Sequence, residues 1–154
     1  MAQALFPEER VPQEGVPEFY YTYIGQHPPA LIEYVQGAPR LRMKLRREVT
    51  VPVRGWISVN TGIRAVIPPG MLGYITDPMD DNLLNLLIFP KIIDRAYNKD
   101  IRVWIGNVTD QNIVLHSGMV IADLAFLTTP INLFHKQVTQ QQLDRLTESG
   151  PSNR

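Results

Sequence analysis

Asp94 and Tyr97 stand three residues apart in Ile92-Ile93-Asp94-Arg95-Ala96-Tyr97, an apolar run that breaks into a turn. A carboxylate there can take a proton from water, provided that an electrophile is bound and oriented beside it. A nearby tyrosine offers a flat apolar face and one polar hydroxyl. Both residues also have a purely local use. Aspartate stabilises turns by accepting a bond from the backbone two residues on, and tyrosine packs as a core or interface aromatic. A second set is Arg40, Arg42, Lys44 and Arg46, alternating with Leu41, Met43 and Leu45. A period of two predicts a half-buried strand with one basic face. That face suits phosphates or an acidic protein partner, and on an edge strand it would equally discourage sheet-to-sheet aggregation. No aromatic residue interleaves with these cations, so nucleic acid is not an expected partner.

Other chemistries are poorly supplied. The chain has 154 residues and no cysteine, so thiolate catalysis and disulfides are excluded. His27, His116 and His135 are scattered without metal-ligand spacing, and no protein-held metal is expected from them. Lys plus Arg and Asp plus Glu number 15 each, a balance that points to no polyanionic or membrane partner. No apolar run approaches the roughly 20 residues needed to span a bilayer. The first ten residues lack a basic region followed by a long apolar segment, so no signal peptide is expected. The expected location is the cytoplasm or nucleus of a host cell.

Thirteen prolines and ten glycines spread along the chain point to many turns and an all-β protein. Pro7, Pro12 and Pro17 with four glutamates make residues 1–18 an extended arm. Residues 19–24 and 30–35 read as strands, followed by the basic strand. Arg54-Gly55 and Pro68-Pro69-Gly70 are turns. Residues 83–89 fit either a helical turn or a buried strand. In residues 101–105, Ile101, Val103 and Ile105 take one face, and Arg102 and Trp104 the other. Residues 107–112 read as a hairpin-type loop. Thr139-Gln140-Gln141-Gln142 fits a capping box opening a short helix. The chain thus divides into an arm (1–18), a β domain (19–135) and a C-terminal segment with a short helix (136–154).

The order of these signals resembles the trimeric dUTPases over roughly residues 37–127. Thr61-Gly62-Ile63 with Ile67-Pro68-Pro69-Gly70 and Gly73 is similar to that family's strand–turn–strand ahead of its second motif. Ile92-Ile93-Asp94-Arg95-Ala96-Tyr97 is similar to the third motif, and Gly118-Met119-Val120-Ile121-Ala122-Asp123-Leu124 to the fourth. The resemblance implies a β-clip or jelly-roll subunit that trimerises. It also implies that Asp94 orients the attacking water and Tyr97 packs on the deoxyribose. The departures are as informative. Ala38-Pro39-Arg40-Leu41-Arg42 offers no carboxylate where the first motif has an Asp supporting the magnesium-triphosphate. Asp77-Pro78-Met79-Asp80 replaces an Arg-Ser phosphate contact. Asn98-Lys99 replaces the Arg-Gly that follows the tyrosine, and Asp123 replaces a phosphate-binding Gln. The glycine-rich closing segment has no counterpart.

These residues imply a non-enzymatic dUTPase-like protein that acts through protein contacts. Its analogues are viral, such as the adenovirus early-region dUTPase-like proteins, and its role would be regulatory or structural in the virion. Expected partners are two further copies of the chain and other proteins, met by the arm and by Arg40, Arg42, Lys44 and Arg46. No cofactor is expected. The alternative is an active pyrophosphatase that splits dUTP with Mg²⁺, using Asp94 and Tyr97, with Asp77, Asp80, Asp81 or Asp123 as unorthodox metal ligands. A nucleotide sensor without turnover is a third reading. A trimer with Asp94 at a polar cleft between subunits would favour the enzyme; a cleft filled by Met79, Leu83 or Phe89 would exclude it.

Overall fold

Period-two alternation and β-branched or aromatic residues build strands along most of the chain. The computed structural model describes residues 11–35, 40–78, 85–126 and 133–148. In chain order the strands are β1 (Glu18–Tyr23), β2 (Ala30–Val35), β3 (Arg40–Leu45), β4 (Val49–Val51), β5 (Trp56–Asn60), β6 (Ile63–Val66) and β7 (Gly73–Thr76). There follow β8 (Leu86–Ile88), β9 (Lys91–Ile93), β10 (Arg102–Asn107), β11 (Ile113–Leu115), β12 (Val120–Phe126) and β13 (Phe134–Gln137), then one helix, α1 (Gln140–Glu148). The main sheet runs β2-β3-β12-β7-β9. Two smaller sheets run β13-β1-β6 and β5-β10-β8, and β11 pairs with β4. Every pairing is antiparallel except β1 with β13.

The buried faces are those that the alternation marks. Leu41, Met43 and Leu45 on β3 are 2% exposed or less, as are Ile101, Val103 and Ile105 at β10. Gly73 on β7 has no room for a side chain. An added Cβ would meet Ile67 and Ile93 at 3.0 Å and Leu124 at 3.2 Å. Helix α1 begins with the expected capping box. The Gln142 N–H donates to Thr139 Oγ1 at 3.1 Å, and the Thr139 N–H to Gln142 Oε1 at 3.0 Å. Leu143 anchors the helix in the core.

Two local expectations change, and one open alternative is decided. First, β3 is not an edge strand, because β2 and β12 flank it. Second, residues 107–112 form no hairpin; β10 and β11 belong to different sheets. Asn107 shapes that connection, donating from Nδ2 to the carbonyls of Val51 (3.0 Å) and Gln111 (2.8 Å) while Oδ1 accepts from the Thr109 N–H (2.8 Å). Third, the segment before Pro90 resolves as strand β8; Leu83 and Leu84 lie outside the described residues. Within the arm, residues 11–17 carry a turn closed by Val16 N–H on the Gln13 carbonyl, and residues 1–10 lie outside the described residues.

Candidate functional site

Strand β9 delivers the chain into the turn that carries Asp94 and Tyr97. Asp94 is exposed. Its Oδ1 accepts from the Ala96 N–H at 3.0 Å, and its carbonyl accepts from the Tyr97 N–H at 3.1 Å. This is the local turn chemistry of aspartate. Tyr97 is half-buried; its hydroxyl donates to the Asp100 carbonyl at 2.9 Å. Lys91 Nζ lies 3.4 Å from that hydroxyl and 4.9 Å from the ring centroid, a cation–π contact.

Tyr97 lines a cleft of about 550 Å³ together with Asn60, Lys91, Lys99, Asp100 and Arg102. Asp94 is not among the lining residues. Lys91, Lys99 and Arg102 have no carboxylate partner among the described residues, so the cleft carries a net positive charge against the single Asp100. Such a cleft suits an anion. Sequence reasoning missed it as a unit. Arg102 shows only as the exposed side of an alternating strand, and Lys99 as a departure from a motif; their convergence on Lys91 needs the β9 and β10 sheets in place.

The basic strand resolves differently from its reading as one open face. Arg40 is buried and donates from Nε to Asp123 Oδ2 at 2.8 Å; the two side chains are 9% and 1% exposed. Arg40 is therefore not a surface contact, and Asp123 is not an isolated negative charge facing a phosphate site. Arg42 Nε donates to Glu33 Oε1 at 2.8 Å, and Lys44 Nζ lies 3.9 Å from the same oxygen. Only Arg46, beyond the end of β3, stands exposed. Cross-strand pairing with β2 thus neutralises much of the face.

Behind the turn, Arg95 reaches inward. Its Nη1 donates to the Ile67 carbonyl at 2.9 Å and its Nη2 to the Leu146 carbonyl at 3.3 Å. Burial pulls the Arg95 guanidinium below its ordinary pKa, opposed by Glu18 and Tyr20. Tyr20 donates to Glu18 at 2.7 Å, and burial first, then that bond, pushes its hydroxyl up to about 12. The turn is thereby tied to both the first strand and the C-terminal helix.

Among the described residues no group of three or more His, Asp or Glu could hold a metal. Asp123 pairs with Arg40. Asp77 is exposed, and Asp80 and Asp81 lie outside the described residues, as do Met79 and Leu83. Phe89 lines a separate aromatic pocket, not the cleft.

Sheet order, the turn after β9 and the strand pairings define an all-β dUTPase fold. The chain belongs to the dUTPase family, whose model matches residues 35–153. It is 28% identical over 97 residues to the Gag-Pro polyprotein of sheep pulmonary adenomatosis virus, a match that covers 63% of this chain and 11% of the polyprotein. Among solved structures, native EIAV dUTPase superposes with a TM-score of 0.57 at 24% identity, over 72% of this chain and 88% of that one. A mutant dUTPase of S. aureus phage phi11, which coordinates a structural Mg(II) ion, gives 0.60 at 14%, over 71% and 89%. Among the described residues no helix is long and apolar enough to cross a membrane.

Proposed function

We propose that this chain is a dUTPase-fold protein that works by binding and not by hydrolysing a nucleotide, and that it acts through protein contacts in a viral setting, as a regulatory or virion component. The buried Arg40–Asp123 pair carries this reading. Arg40 lies in the segment that resembles the first motif and Asp123 in the one that resembles the fourth, and the pair ties the two side chains to each other. Asp94 supports the same reading, since its carboxylate accepts a bond within its own turn and is not among the residues that line the Tyr97 cleft. Assembly into a trimer is the family expectation, and the arm with Arg42, Lys44 and Arg46 remains the proposed contact surface for other proteins.

The Tyr97 cleft favours a second reading at the same site, in which an anionic ligand is bound without turnover. Lys91, Lys99 and Arg102 supply the charge, and Tyr97 the flat face.

The test is pyrophosphate release from dUTP with Mg²⁺, comparing wild type with Asp94→Asn. No release from either protein is the expected result. Release that Asp94→Asn abolishes would establish the alternative, an active dUTP pyrophosphatase using Asp94 and Tyr97. Calorimetric titration with dUTP separates the second reading: heat that Lys99→Glu removes supports a bound anion, and no heat at millimolar ligand rejects it.

A further inference from the structure

The outward face of β5, β10 and β8 carries aromatic rings and cations together. Trp56, Phe89 and Trp104 are 47%, 61% and 43% exposed. They line a pocket of about 220 Å³. Large apolar side chains clustered on a surface mark an interaction site. These rings are fixed in place. The Trp56 ring lies over Gly106, where an added Cβ would come within 2.7 Å of it. Phe89 meets Trp56 edge-on, with centroids 5.7 Å apart at 82°. The Phe89 N–H donates to the Trp104 carbonyl at 2.9 Å, which continues the ladder between β8 and β10 by one residue.

Register sets the cations beside the rings. On β10, Arg102 and Trp104 share the outward side of an alternating strand, about 7 Å apart along it. Trp104 stands opposite Ser58, and Arg102 opposite Asn60. Arg102 Nη1 donates to Ser58 Oγ at 3.2 Å, so the guanidinium lies toward the row that holds Trp104. Lys91, two residues beyond Phe89, joins Arg102 and Lys99 in the adjoining cleft. The chain's even balance, 15 charges of each sign, conceals this local concentration.

Exposed rings beside cations match a single-stranded nucleic acid, whose bases stack on the rings while its phosphates take the charges. A duplex offers no such fit, because its base faces are already stacked on one another. A purely apolar partner would cover the cations without neutralising them, at a desolvation cost. A second copy packed face to face would set the same cations against each other.

We propose that this face binds single-stranded nucleic acid, with bases stacked on Trp56, Phe89 and Trp104 and backbone phosphates on Arg102, Lys91 and Lys99. The phosphate half rests on the anion-binding reading of the Tyr97 cleft; the stacking half does not. Strand β3 has cations without interleaved aromatics, whereas this face supplies both.

Trp56 and Trp104 are the chain's two tryptophans, so stacked bases should quench the intrinsic fluorescence. The probe is single-stranded oligothymidine about 12 nucleotides long, within the roughly 4–16 that one small binding fold covers. It should quench the full-length chain and bind more tightly than a duplex of the same length. Trp104→Ala should weaken binding roughly 5–150-fold, the loss expected for one stacked base. Trp104→Phe should restore most of it, with the far-ultraviolet circular dichroism of both variants unchanged. The slope of log affinity against log salt should be about −2 for three phosphate contacts, and Arg102→Gln should flatten it by roughly 0.7. No quenching, while dUTP still gives heat in the cleft, would overturn the proposal and leave the cleft reading standing; no quenching and no heat would end both. Equal affinity for the duplex would also sink it, since charge alone would then account for binding. So would tryptophan emission that shifts with protein concentration and ignores the oligonucleotide, which would give the face to a second copy of the chain.

Discussion

Replacing Asp123 with leucine tests whether the Arg40–Asp123 pair is structural. The two side chains are 9% and 1% exposed and meet at 2.8 Å. At an effective dielectric near 20 the attraction over that distance is about 6 kcal/mol before desolvation is subtracted. Removing the carboxylate leaves a guanidinium buried without its counter-charge, a change that costs about 3–5 kcal/mol. That is a large share of the roughly 5–15 kcal/mol that holds a domain folded. For a chain of this size each kcal/mol lowers Tm by about 2–4 °C, so Asp123→Leu should melt roughly 6–20 °C below wild type. The double substitution Arg40→Met with Asp123→Leu removes both charges and should recover most of that loss. Guanidinium denaturation and thermal scans at one fixed protein concentration measure both. If Asp123→Leu lies within about 1 kcal/mol of wild type, or the double variant is merely additive, the pair is not coupled and the reasoning fails.

Three further outcomes follow from the packing. Arg95→Ala removes two charged hydrogen bonds to carbonyls; it should cost about 1.5–3 kcal/mol and accelerate amide exchange in α1, whereas unchanged exchange would show that Arg95 does not tie the helix down. Gly73→Ala would push a methyl against Ile67, Ile93 and Leu124; overpacking should cost about 1–3 kcal/mol, and a urea midpoint equal to wild type would contradict the tight approach. Tyr20 holds its proton up to about 12 against 10.0 for the free side chain. A raised folded pKa stabilises the fold fully below pH 10, and that contribution is lost as pH rises through the folded value. The stability of wild type relative to Tyr20→Phe should therefore decline between about pH 10 and 12, by an amount that solvent screening reduces; parallel pH profiles for the two proteins would refute the shift.

Local pattern made much of the fold legible. The alternation in residues 40–45 and 101–105 marks the buried faces correctly, because a period of two leaves a strand no choice once one side is covered. The capping box at Thr139 is legible for the same reason, since both of its bonds fall within one turn. What depends on distant residues was not legible. The parallel pairing of β1 with β13 joins opposite ends of the chain. The cleft beside Tyr97 gathers side chains from β5, β9, β10 and the loop before β10. Arg40 finds its partner 83 residues away.

That last separation changes the meaning of the family's altered motifs. By the resemblance, Arg40 lies in a first-motif segment that lacks the expected carboxylate, and Asp123 stands where the fourth motif has an amide. Each without the other would be a buried charge lacking this opposite charge, which costs several kcal/mol. Together they are neutral and hydrogen-bonded. The matched pair is a buried contact that joins β3 to β12, whose register sets Asp123 against Arg42, two residues from Arg40.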